Sequence, residues 1–89
     1  DPLANLQLST SGYHALAKQL SQAAETLCDG QIAFVLEGGY DPEALADNVG
    51  TVLYALSERE PLEDRLGPAP IDEPSISHLI KEIRNIHSL

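Results

Sequence analysis

At 89 residues the chain is long enough for one small domain, and with 43% hydrophobic but only 4% aromatic residues its core must be mostly aliphatic. Fourteen acidic against five basic side chains give a formal charge of −9, which repels phosphate backbones and anionic bilayers and so argues against nucleic-acid and membrane partners. Six prolines and six glycines exclude collagen-like and low-complexity classes, and no apolar run approaches the roughly 18 residues a membrane span needs.

Residues 1 to 8 read as an extended or turn entry, punctuated by Asp1-Pro2. Ser9, Thr10 and Ser11 then offer hydroxyls that cap a helix. Beyond them Tyr13, Leu16, Ala17, Leu20, Ala24 and Leu27 recur at three- and four-residue steps, the apolar face of an amphipathic helix. Asp29-Gly30 ends it, glycine being the residue that accepts a left-handed conformation.

Ile32-Ala33-Phe34-Val35-Leu36 is an unbroken apolar run of strand length. Hydrophobicity without alternation predicts a central strand of a parallel sheet, buried on both faces. After Glu37-Gly38-Gly39-Tyr40, the sequence Asp41-Pro42-Glu43 opens a second helix, with aspartate as cap and proline in the first turn. Leu45, Val49, Val52, Leu53 and Leu56 form its inward stripe. Pro61, Pro68, Pro70 and Pro74 mark residues 59–74 as a loop, and a last helix follows from about Ser75, with Ile76, Leu79, Ile80, Ile83 and Ile86 or His87 on one side.

The expected order is therefore helix, strand, helix, loop, helix: an α/β arrangement divided into 1–58, 59–74 and 75–89. A lone strand buried on both faces has no partner in this sequence, and each unpaired buried backbone group costs about 1–3 kcal/mol. Neighbouring strands are expected from the remainder of a larger catalytic domain, or from self-association through the strand edge. Methionine is absent and the chain opens on Asp1-Pro2, which adds to the expectation of a piece of a longer product.

The strand-to-helix junction is the place where chemistry is expected, because ligands collect beyond the carboxyl ends of strands in open α/β sheets. Gly38 and Gly39 allow close approach of a substrate or another backbone, and Tyr40 presents a phenol that donates a hydrogen bond at neutral pH. Two glycines after a strand are more often simple turn chemistry. A phosphate-binding loop is the weaker alternative: a third glycine and Gly-Lys-Ser/Thr are both missing, and no Lys or Arg lies between Asp29 and Arg59.

Taken together, Asp1-Pro2-Leu3-Ala4-Asn5-Leu6, Leu8-Ser9 through Gly12-Tyr13, Val35-Leu36-Glu37-Gly38-Gly39-Tyr40, Ala44-Leu45-Ala46 and Asn48-Val49 resemble the end of the histone deacetylase superfamily domain, in the style of its class II, acetylpolyamine amidohydrolase and acetoin-utilisation branch. The resemblance covers roughly residues 1 to 57. It implies the C-terminal portion of a three-layer, arginase-like parallel-sheet fold, and a zinc-dependent parent enzyme that hydrolyses N-acetyl amides such as acetyl-lysine or an acetylpolyamine. Tyr40 then matches the tyrosine that polarises the acetyl carbonyl, and Gly38 and Gly39 match glycines of the substrate channel. Glu37 is either a helper of loop geometry or an ordinary hydrogen-bonding residue, the second being the favoured reading. The family's zinc ligands and histidine pair fall upstream of Asp1, so this chain is expected to bind no zinc and to be inactive alone.

The remaining candidates read as structure. His14, His78 and His87 lack metal-like spacing. Tyr13 and Tyr54 lie in helical stripes. Cys28, the single cysteine, excludes an intrachain disulfide, has no histidine placed to activate it, and fits a reducing, cytoplasmic setting. The alternative to a deacetylase piece is a self-associating or partner-binding α/β module without catalysis.

Overall fold

The computed structural model describes residues 3, 5–67 and 71–89. The Asp1-Pro2 turn, Ala4, and Pro68 and Pro70 of the loop lie outside the described residues. Three helices follow one another: α1 (Thr10–Cys28), α2 (Pro42–Leu56) and α3 (Ser77–His87).

Local sequence sets the helix ends. Ser9 is the cap of α1 and its hydroxyl accepts from Gly12 N–H at 3.1 Å. At the other end Asp29 takes the left-handed conformation (φ 53°), Gly30 follows with φ 74°, and both amides return to the carbonyl of Ala24. The left-handed step thus begins one residue before the glycine. Asp41 caps α2 as its sequence predicts, accepting from Glu43 and Ala44 N–H at 3.0 Å each. The third helix starts at Ser77, two residues later than expected, and Ile76 at its cap position provides no side-chain hydrogen bond.

α1 packs on α2. The buried residues of the two helices are small: Ala17, Ala24 and Thr10 of α1, and Ala55 and Thr51 of α2. Small residues let the two backbones come close, but a single neighbour covers only a narrow strip of each apolar face. Leu16, Leu20 and Leu27 of α1, and Val49, Leu53 and Leu56 of α2, accordingly stay exposed. Among the described residues α3 packs on neither helix and buries none of its own side chains.

The α/β expectation is overturned. No strand and no sheet occur among the described residues, and 31–41 run as irregular backbone between α1 and α2. Far from being buried on both faces, Val35 is 89% exposed, and Ile32, Phe34 and Leu36 are exposed as well. The reason is physical: a strand exists through the ladder it shares with another strand, and this sequence holds one such run and no second. Two packed helices also leave nothing to lie on its second face. The three-layer, arginase-like description therefore gives way to an all-helical arrangement.

Candidate functional site

The segment 34–40 and the two packed helices border an open groove of about 1160 Å³. Its walls are mostly aliphatic, with Leu16 and Leu20 from α1, Val49 and Leu53 from α2, and Phe34 and Leu36 from the connecting segment. Tyr40 stands on this wall, 56% exposed.

Two glycines aim Tyr40. Gly38 has φ +76° and Gly39 φ +96°, consecutive left-handed positions that a residue with a Cβ rarely adopts. They turn the chain sharply enough that the Tyr40 ring lies back over Gly38, its hydroxyl 3.8 Å from where a Cβ on Gly38 would be. At Gly39 the restriction is also steric, since a Cβ there would meet Leu45 Cδ1 at 2.6 Å. Tyr40 directly precedes the Asp41 cap, so the start of α2 fixes its backbone.

That helix start is already satisfied. The Asp41 carboxylate takes the Glu43 and Ala44 amides, and Glu37, Asp41 and Glu43 surround the turn with negative charge. An arriving phosphate would find those donors occupied and the local field repulsive, which leaves the anion-binding alternative without support.

The structure scatters the other titratable candidates. His14 Nε2 donates to the carbonyl of Arg59 at 2.7 Å, which anchors the chain after α2 against α1. His78 faces Glu82 along α3 at 3.7 Å, and His87 ends the same helix. Cys28 is exposed, with Sγ 3.2 Å from the carbonyl oxygen of Gln31. Tyr13 is half-buried along the groove, whereas Tyr54 carries the Arg59 guanidinium 4.5 Å from its ring centroid, a cation–π contact. Among the described residues no group of three or more His, Cys, Asp and Glu side chains is placed to hold a metal ion.

Sequence reasoning missed a second constellation. The backbone after α2 folds back on the helix pair: Leu62 N–H donates to Thr51 Oγ1 at 3.1 Å, and Thr10 N–H donates to Asp64 Oδ2 at 3.0 Å. Thr10 Oγ1 in turn donates to Asn48 Oδ1 at 3.1 Å. Arg65 holds Asp47 through two parallel bonds, Nε–Oδ2 at 2.8 Å and Nη2–Oδ1 at 2.6 Å. The Arg65 hydrogen bond, aided by its charge, holds the Asp47 carboxyl below its ordinary pKa against the opposing effect of desolvation. Nothing in the spacing of 47 and 65 announces this pair.

Comparison with known proteins decides the family. The model of the histone deacetylase domain matches residues 1–56. The chain belongs to the histone deacetylase family. Histone deacetylase 14, chloroplastic, of Arabidopsis thaliana is 39% identical over 93 aligned positions, covering 100% of this chain and 22% of the relative. Histone deacetylase 10, chloroplastic, of Oryza sativa subsp. japonica is 37% identical, covering 100% and 21%. A probable deacetylase of Archaeoglobus fulgidus is 30% identical, covering 99% and 28%. The chain thus spans between a fifth and three tenths of the length of these curated histone deacetylase and deacetylase relatives. No solved structure matches. No helix among the described residues is long and apolar enough to cross a membrane.

Proposed function

We propose that this chain is part of a zinc-dependent deacetylase that hydrolyses N-acetyl amides, on acetyl-lysine or an acetylpolyamine, to acetate and a free amine. Tyr40 is the residue that carries the proposal. Its hydroxyl donates a hydrogen bond to the acetyl carbonyl and strengthens that bond as the oxygen gains negative charge. Gly38 and Gly39 form the part of the channel wall along which the acetylated amine chain lies, their left-handed turn bringing bare backbone to the groove beside Tyr40.

The supporting observation is the turn itself: two consecutive left-handed glycines set a phenol at the edge of an apolar groove, in a chain of the histone deacetylase family. The described side chains do not fit a metal site, so the zinc ligands and the water-activating histidines belong, in this proposal, to other parts of a larger protein. By the same reasoning the 89 residues alone hydrolyse nothing. A cytoplasmic location belongs to the proposal too, the word chloroplastic in two names being said of those relatives.

The deciding experiment is Tyr40→Phe in the intact enzyme. Zinc content should stay unchanged while turnover falls on the order of 10² to 10³-fold. Near-full activity removes Tyr40 from the mechanism. Stoichiometric, tight zinc binding by the 89-residue chain in calorimetry overturns the assignment of the ligands to other parts of the protein.

One observation favours a second reading, a binding module without catalysis: the apolar sides of the groove and of α3 are both exposed. Light scattering at high concentration tests its self-associating form, and a monomer counts against it.

A further inference from the structure

We infer that residues 59–66 act as a clasp that positions Tyr40 through α2, with Thr51 the key positioning residue. The inference rests on the proposed role of Tyr40, and it extends the site into a segment beyond the residues that match the family model.

Thr51 is fully buried at 0% exposure, yet it is polar. A buried hydroxyl on an apolar interface costs stability unless it is bonded, and here it accepts the Leu62 amide. One residue earlier, Gly50 leaves the space in which Leu62 sits: a Cβ there would lie 2.8 Å from Leu62 Cδ1. One turn toward the start of α2, Arg65 grips Asp47 with its paired bonds, and Asp64 ties the same stretch to Thr10 at the start of α1. The clasp therefore holds α2 at two levels one turn apart, and α1 at its first residue.

The remaining distance to Tyr40 is spanned by local contacts at the start of α2. Leu45 abuts Gly39, and the Asp41 carboxylate locks the first turn of α2 to the residue following Tyr40. With α2 held at Asp47 and Thr51, the phenol has a fixed base. With the clasp released, α2 shifts on α1, and a hydrogen-bond donor displaced by a fraction of an ångström loses much of its effect on the transition state.

Steady-state kinetics of the intact enzyme, per folded active protein, test this. Thr51→Val keeps the side chain's shape and removes the hydroxyl. It should lower kcat roughly tenfold with KM little changed, and Thr51→Ser should restore most of the loss. Because the effect runs through Tyr40, the double variant Tyr40→Phe/Thr51→Val should turn over no more slowly than Tyr40→Phe alone. If Thr51→Val does not fold, Arg65→Gln, which alters an exposed side chain, serves in the same comparison. The inference is overturned if the clasp variants keep wild-type kcat while Tyr40→Phe is crippled, or if the double variant loses the full additional factor. Full activity of Tyr40→Phe overturns the proposed function instead.

Discussion

The side chain of Leu45 occupies the place where a Cβ on Gly39 would stand, 2.6 Å from Cδ1 and 3.1 Å from Cδ2. Gly39→Ala therefore meets two obstacles, and they differ in kind. A leucine can swing away, whereas the positive φ of residue 39 cannot be relieved by any neighbour. We expect a loss of about 1–2 kcal/mol in chemical denaturation, most of it surviving in a Leu45→Ala background. A neutral Gly39→Ala contradicts the left-handed conformation.

Asp41 closes the first turn of α2 with two hydrogen bonds. Asp41→Ala should cost about 1 kcal/mol of stability, with Asp41→Asn recovering most of it because the amide oxygen accepts the same bonds. Urea unfolding of the three proteins side by side gives the comparison, and equal midpoints reject the cap.

The Arg65–Asp47 pair makes stability depend on pH in a defined direction. Arg65 holds the folded-state carboxyl of Asp47 below its unfolded value of about 4, so the pair's contribution is complete above that value and disappears as pH falls through the depressed one. Arg65 is 59% exposed against 14% for Asp47, so salt screens part of the effect. Arg65→Gln should lower the Tm at pH 7, and the gap to wild type should close in strong acid. A gap that widens on acidification has the wrong sign and removes the pair from the ledger.

Val35 tests the correction to the fold. Val35→Asn in the 89-residue chain should change stability by no more than about 0.5 kcal/mol, the ordinary range for an exposed position. A loss of several kcal/mol would mean that the side chain is buried after all.

The legible parts of this protein were those written in adjacent residues. Ser9 and Asp41 sit beside the amides they cap, and Gly38-Gly39-Tyr40 names its own turn, so α1, α2 and the bend ahead of α2 follow from local sequence. The run from Ile32 to Leu36 misled because hydrophobicity reports an appetite for burial and says nothing of whether a partner is present to satisfy it. The inward stripe expected of α2 fails for the same reason: Ala55 is buried, whereas Val49, Leu53 and Leu56 stay outside. Thr51, Asp64 and Arg65 were illegible because their partners are remote in sequence: a hydroxyl bonded 11 residues on and a carboxylate bonded 54 residues back leave no local pattern.

The bond between Thr10 and Asp64 has a consequence for the order in which the molecule is made. A ribosome releases α1 well before the segment 59–66, with Ser9 on hand to cap its opening turn, but the amide of Thr10 must wait on water until more than fifty further residues have emerged. Nascent chains halted before residue 64 has left the exit tunnel would thus carry a helix whose leading edge is half secured, and those halted after it has emerged would carry one that is sealed.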